Sequence, residues 1–168
     1  MPYSWRMEIR IETARDFAGI RAVEEEAFPT RSEADLVDRL RADGDAVLSL
    51  LAILENQIVG HVMFSKMRTP PRTLALAPVA VLTPHRRKGI AADLIRAGLK
   101  HVQEKGWQGV FVLGDPTYYR RFGFDAALAS GFTSPYAGPH LMALALQTDG
   151  LSARKGSLEY PPAFAALT

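Results

Sequence analysis

The sequence predicts one layered α/β domain, and three observations carry that expectation. Two apolar, β-compatible runs at residues 48–55 and 58–64 flank a short polar connection, the pattern of a hairpin. A third apolar run at 74–82 precedes a glycine-opened amphipathic segment and the short run VFVL at 110–113, an order that implies a parallel strand–helix–strand crossover. The 168 residues are 48% hydrophobic and 23% charged, the balance of an ordinary soluble globular domain able to bury a full core.

Ile9 and Ile11 alternate with charged residues in MEIRIE, which predicts an opening strand with one buried face. Thr13, with Asp16 three residues later, starts a helix that runs to about Ala27; Phe17, Ile20, Val23 and Ala27 recur at helical spacing, and Pro29 ends it. Ser32 with Asp35 opens a second helix carrying Leu36, Val37 and Leu40 until Gly44 breaks the pattern. The hairpin follows, with its turn at Asn56-Gln57, and Pro70-Pro71 marks a longer loop. Within 74–82, Pro78 cannot donate to a neighbouring strand, so a distortion or an edge position is expected there. Gly89 opens a helix to about Lys105, with Ile90, Leu94, Ala97 and Val102 inward and Gly106 at its end. A short helix at 117–122 and a late strand at 141–146 complete the core. The tail containing Tyr160-Pro161-Pro162 reads as irregular chain packed on the domain. Nothing reads as a repeat or a linker, so the expected organisation is one domain over 1–168, with a core at about 7–147 and an extension at 148–168.

Twenty basic and eighteen acidic residues leave a formal charge of +2, too even a balance for general binding to nucleic acid or membrane, so any basic site must be local. The absence of cysteine excludes disulfides, thiolate ligands and a cysteine nucleophile, and a cytoplasmic location is the default. The first residues lack the apolar stretch of a signal peptide, and no window approaches the roughly 20 apolar residues of a membrane span. The four histidines have no metal-ligand spacing, so no metal is expected, and the G-x-S-x-G turn of a serine hydrolase is missing.

The segment RRKGIA lies between a predicted strand and a predicted helix, where unpaired backbone N–H groups and the helix dipole favour an anion. Gly89 lets the main chain approach a ligand, Ala91 keeps the next turn small, and Arg86, Arg87 and Lys88 add positive charge. By itself a glycine at a helix start is more often only a turn. In this register, however, Arg86-x-x-Gly89-x-Ala91 after an apolar strand resembles the acetyl-CoA signature of the GNAT N-acetyltransferase superfamily. The resemblance implies a mixed, mostly antiparallel central sheet splayed at the cofactor strand, with helices on both faces. It assigns the CoA pyrophosphate to the turn formed by Arg86, Arg87, Lys88, Gly89, Ile90, Ala91 and Ala92, and the pantetheine arm to main-chain groups of Val81, Leu82 and Thr83. It further gives the Leu82 amide the role of polarising the thioester carbonyl.

Downstream, GDPTYYRRFGF resembles the superfamily's second recurring segment, in which a tyrosine lies four residues before the glycine of a Gly-Phe pair. That tyrosine is Tyr119, with Tyr118 as its rival; a phenol is protonated at neutral pH and can donate to a departing CoA thiolate. GHVMFS, LAPVAVL, GDPTYYRRFGF and the terminal YPPAF together resemble a bacterial branch often called YhbS-like, over nearly the full length. Many members carry an asparagine before the tyrosine helix; this chain has Gly114-Asp115-Pro116 there, so that residue's role is not carried over.

The implied activity is acetyl transfer from acetyl-CoA to a primary amine by direct attack in a ternary complex. The alternative is a non-catalytic CoA-binding or interaction module. Attack needs a neutral amine, hence a base. Glu25, Glu26, His61, His85 and Asp115 are the candidates, with Glu26 and Asp115 assigned to substrate contact. The simpler readings are a solvated helix face for Glu25 and Glu26, a turn residue for His85, and a helix cap for Asp115. The acceptor's identity and a homodimeric state are left open by the sequence.

Overall fold

The computed structural model describes residues 7–167; residues 1–6 and 168, which the one-domain expectation also took in, lie outside the described residues. The chain opens with β1 (Met7–Ile11) and a 3-10 turn (Ala14–Asp16) that leads into α1 (Phe17–Ala27). The expected first helix is therefore split. The Asp16 carboxylate accepts the Thr13 N–H at 2.7 Å and pairs with Arg10 at 2.8 Å, drawing the first turn tight before α geometry begins. In α2 (Ser32–Ala42) the N-cap is Arg31 rather than Ser32, because the Ser32 hydroxyl is engaged with Thr30 at 3.1 Å and the first helical bond runs from Asp35 N–H to the Arg31 carbonyl at 2.8 Å.

The hairpin forms from β2 (Ala46–Leu54) and β3 (Gln57–Lys66), with its turn one residue earlier than expected, at Glu55-Asn56. Both turn residues have positive φ, 51° and 66°, which matches the twist a tight two-residue hairpin needs. β4 (Thr73–Val81) is followed by a 3-10 turn (Thr83–His85), then by α3 (Ile90–Glu104) and β5 (Gly109–Leu113). Next come α4 (Pro116–Tyr119), a 3-10 turn (Arg120–Phe122), α5 (Ala126–Ala129), β6 (Phe132–Thr133) and β7 (Leu141–Ala145). The tail is more ordered than the irregular chain expected. It contributes β8 (Gly156–Ser157), parallel to β6, and a 3-10 helix (Pro162–Ala166) that buries Ala163 and Phe164.

The main sheet has six strands in the order β1-β2-β3-β4-β5-β7, antiparallel at every step except the parallel β4–β5 contact. β4 is an interior strand of the sheet, but it pairs with β5 only over Thr73–Ala75, so at Pro78 its β5-facing side is open. The distortion it was expected to cause is a register shift between the Val62 and Phe64 pairings, where Ala77 and Pro78 together face the single residue Met63.

Alternation along β2 and β3 divides the core into two layers. On one face α3 packs Ile90, Leu94 and Val102 against Leu50, Val62 and Phe64; on the other, Ile20 of α1 and Leu36 and Leu40 of α2 meet Leu51, Met63 and Phe164. Gly98 permits the close seat of α3, since a Cβ there would stand 2.3 Å from Phe64 Cε1. Phe17, which shares the helical spacing of Ile20 and Val23, is 39% exposed and covered by the Arg41 guanidinium at 4.0 Å. No helix among the described residues is long and apolar enough to cross a membrane.

Candidate active site

The site exists because β4 and β5 separate. They pair only from Thr73 to Ala75 on one side and Gly109 to Phe111 on the other, after which β4 stays with β3 and β5 stays with β7. Beyond Ala75 the β5-facing edge of β4 borders a cleft, and a cavity of about 500 Å³ opens there. Val79, Ala80 and Val81 form one wall, the turn and first residues of α3 a second, Ala27 and Phe28 a third, and Tyr118 with Arg121 a fourth.

The turn is shaped to hold an anion. Arg87 and Gly89 both have positive φ, 64° and 84°, and such a left-handed pair turns neighbouring N–H groups toward one side. The first α3 backbone bond is Asp93 N–H to the Gly89 carbonyl at 3.0 Å, which leaves the amides of Ile90, Ala91 and Ala92 without helical acceptors. A Cβ at Gly89 would meet nothing within 4 Å, so the approach to these amides is open. Val81, Arg86, Arg87, Gly89, Ile90, Ala91 and Ala92 of the expected cofactor set all line the cavity, whereas Leu82, Thr83 and Lys88 do not.

Two side chains brace the turn from behind. The Glu26 carboxylate accepts the Thr83 N–H at 3.0 Å and the Thr83 hydroxyl at 2.6 Å, bonds that hold its pKa below the usual carboxylate range. Arg86 donates from Nε to the Val81 carbonyl at 3.2 Å and from Nη2 to the Ala27 carbonyl at 2.9 Å. Thr83 and Glu26 therefore satisfy each other. A depressed pKa also makes Glu26 a poor base.

The backbone corrects one assignment. The Leu82 N–H donates to the Val59 carbonyl of β3 at 2.9 Å, so it faces away from the cleft and is not available to a thioester. Alternation along the antiparallel ladder turns the Val79 and Val81 amides the other way, toward the opening. The sequence contained the signal for this, because a strand's donors alternate with period two, but the phase is set only by pairing with β3.

Of the two tyrosines of the second segment, only Tyr118 reaches the cavity. Tyr118 lines the cavity, its ring covered by the Arg121 guanidinium at 4.5 Å. Tyr119 packs edge-on against Tyr118 and Phe124, with centroids at 5.1 and 5.8 Å, and a Cβ on Gly114 would meet its Cε2 at 2.5 Å. Burial pushes the Tyr119 hydroxyl up to about 12, so it is protonated at neutral pH. Tyr119 is not among the residues lining the cavity, whereas Arg121 is.

The remaining candidates separate clearly. Asp115 accepts the Thr117 N–H at 3.0 Å and caps α4. Glu25 pairs with Arg21 at 3.1 Å on the exposed helix face. His85 lies in the turn and lines the cavity. His61 is fully buried, with Nδ1 2.7 Å from Glu24 Oε2 and Nε2 2.8 Å from the Ser49 hydroxyl. Burial pushes Glu24 up to about 9, with the charge of Glu33 adding to the rise, and pushes His61 down to about 3. The contact between them is accordingly a neutral hydrogen bond rather than an ion pair. Glu24 was missed in the sequence because it sits beside Glu25 and Glu26 in an acidic run whose one inward member is identified only by the helix's orientation. Among the described residues no group of three or more His, Asp or Glu side chains could hold a metal ion.

Residues 11–124 match the family model described as the acetyltransferase (GNAT) family. The chain is 36% identical over 160 residues to the uncharacterized N-acetyltransferase YhbS of Escherichia coli K12, covering 92% of this chain and 96% of that one. The crystal structure of Escherichia coli YhbS in complex with CoA superposes with a TM-score of 0.90 at 33% identity, over 97% of this chain and 94% of that one. A GNAT family acetyltransferase from Brucella melitensis in complex with acetyl-CoA gives 0.80 at 35% identity, over 94% and 97%. The fold, the splayed strand pair and these relatives agree: the chain belongs to the GNAT acetyltransferase family.

Proposed function

We propose that the protein moves the acetyl group of acetyl-CoA to a primary amine by direct attack within a ternary complex, using the whole chain as one catalytic domain. The observation that carries this reading is the juxtaposition of the anion-binding turn with the open edge of β4 in one cavity. The Ile90, Ala91 and Ala92 amides, with Arg87 beside them, would take the pyrophosphate. The Val81 amide would hold the pantetheine arm, and the Val79 amide would donate to the oxygen that develops charge as the amine attacks. Tyr119 would protonate the departing thiolate. Its support is the spacing before Gly123-Phe124 together with a hydroxyl that burial keeps protonated.

The test is thiol release from acetyl-CoA against a panel of small amines and peptides, with Tyr119→Phe and Tyr118→Phe in parallel. Tyr119→Phe should lower kcat by about 10²- to 10⁴-fold with acetyl-CoA affinity nearly unchanged. If Tyr118→Phe has that effect and Tyr119→Phe does not, the acid is Tyr118, the residue that lines the cavity. Acetyl-CoA binding without thiol release from any acceptor would favour a CoA-binding module.

A further inference from the structure

Three arginines line the cavity, and no aspartate or glutamate does. A cleft bounded by cations without acids concentrates anions, and the three differ in what they have left to offer one. Arg86 is committed to the main-chain carbonyls of Val81 and Ala27, at 3.2 and 2.9 Å. Arg87, with its φ of 64°, is part of the turn beside the amides assigned to the pyrophosphate. Arg121 stands apart from both. It comes from the 3-10 turn that follows α4, on the β5 side of the splay, and the acetyl-transfer chemistry above does not use it.

The Arg121 guanidinium is anchored on one side only. Its Nε donates to the Tyr118 carbonyl at 3.0 Å, and its Cζ stands 4.5 Å from the centroid of the Tyr118 ring. These contacts leave the Nη donors with neither an acceptor nor a carboxylate partner among the described residues. A guanidinium held in this way loses little freedom on meeting a ligand, and its forked donors match the oxygens of a phosphate. CoA carries three phosphate groups, two in its pyrophosphate and a monoester on the ribose 3′ oxygen. The turn accounts for the pyrophosphate. The monoester, with a second pKa of about 6, holds most of a double negative charge at neutral pH and still needs a cation. Arg121 is the lining arginine outside the turn with donors to spare.

We propose that Arg121 binds the ribose 3′-phosphate of CoA and makes the site selective for CoA over ligands that share its pantetheine and pyrophosphate but lack that group. The proposal rests on the cofactor half of the reading above and is independent of the acceptor. Its consequence is a filter on the acyl donor. An acetyl group on the pantetheine arm of a carrier protein has no ribose phosphate and forgoes this contact, whereas a free CoA thioester makes it. Because Arg121 is bonded to the Tyr118 carbonyl, the same contact ties the segment that carries both tyrosines to the bound cofactor.

Isothermal titration of CoA and of 3′-dephospho-CoA into wild type, Arg121→Gln and Arg120→Gln tests this, Arg120 being the adjacent exposed arginine that does not line the cavity. Wild type should bind CoA about 10- to 100-fold more tightly than dephospho-CoA, the worth of a charge-assisted contact. Arg121→Gln should bring the two affinities together by weakening CoA and leaving dephospho-CoA unchanged, while Arg120→Gln keeps the wild-type ratio. Arg121→Lys, which retains the charge without the fork, should give an intermediate ratio. Phosphorus-31 NMR supplies a second readout: the guanidinium favours the dianion, so the monoester should titrate lower in the wild-type complex than in the Arg121→Gln complex. Equal wild-type affinities for the two ligands overturn the proposal. So does an equal weakening of both by Arg121→Gln, which would put the guanidinium on the pyrophosphate, or an equal loss of the ratio in Arg120→Gln, which would leave only the general field. If neither ligand binds, the CoA site itself fails and the proposal with it. Selective CoA binding without thiol release from any amine supports the Arg121 assignment while counting against amine acetylation, so the two readings fail separately.

Discussion

The Glu26 carboxylate accepts both the main-chain N–H and the hydroxyl of Thr83, at 3.0 and 2.6 Å, and so ties the end of α1 to the turn that leads from β4 into α3. Glu26 is therefore a brace, and its effect on chemistry passes through the shape of that turn.

Removing the brace tests this directly. Glu26→Ala should weaken acetyl-CoA binding by about 3- to 10-fold, the effect of roughly one net hydrogen bond, while kcat at saturating acetyl-CoA changes little. Isothermal titration and steady-state kinetics check the split. Because its bonds to Thr83 depress the Glu26 pKa, the brace is fully present above the ordinary carboxylate range and is lost only as pH falls below it. Acetyl-CoA affinity should accordingly show no Glu26-dependent loss between pH 7 and 5.

Gly114 tests the tyrosine pocket. A methyl group there would stand 2.5 Å from Tyr119 Cε2 and 3.0 Å from Cδ2, so Gly114→Ala must displace the ring. Turnover should fall about 10-fold or more with acetyl-CoA affinity retained, since misplacement of a reacting group by about 1 Å costs rate before binding. An unchanged kcat would mean that the position of Tyr119 does not matter to the reaction.

Gly98 tests the seat of α3 on the sheet. Its Cβ would meet Phe64 Cε1 at 2.3 Å and Cζ at 2.7 Å in a fully buried layer, so Gly98→Ala should destabilise the fold by about 1–3 kcal/mol through overpacking. A fall in Tm of roughly 2–12 °C follows for a chain of this size. Differential scanning calorimetry checks it.

The buried Glu24–His61 pair gives stability a characteristic pH dependence. Glu24 keeps its proton in the folded state over a range where the unfolded chain has lost it, so its contribution falls as pH rises from about 4.5 toward about 9. His61 stays neutral in the folded state where the unfolded chain is protonated, so its contribution rises with pH from about 3 to 6.5. The two oppose each other in mildly acidic solution, and above pH 6.5 only the Glu24 slope remains. Denaturant unfolding should show wild type losing stability from pH 7 to 9 relative to Glu24→Gln, by no more than about 1.4 kcal/mol per pH unit.

Sequence alone determined the features that are local in the chain. The amphipathic period of residues 90–102, the glycine that opens that helix, the hairpin and the strand–helix–strand order all follow from short-range chemistry, and together they placed the glycine turn between β4 and α3. The hairpin turn was misplaced by one residue because either pair of central residues is polar, and the choice is made by the pairing of Ile53 with Ile58 across it.

Tertiary structure decided whatever depends on which neighbour a group meets. Leu82 and Val79 are chemically similar backbone donors, and only the ladder to β3 fixes that one faces Val59 and the other the cleft. Glu24, Glu25 and Glu26 are identical side chains in a row. The orientation of α1 over the sheet sends the first into a sealed contact with His61, leaves the second with Arg21 at the surface, and ties the third to Thr83. A sequence supplies the donors, acceptors and charges of a site, but their environment, and with it their protonation and their role, is set by contacts between segments distant in the chain.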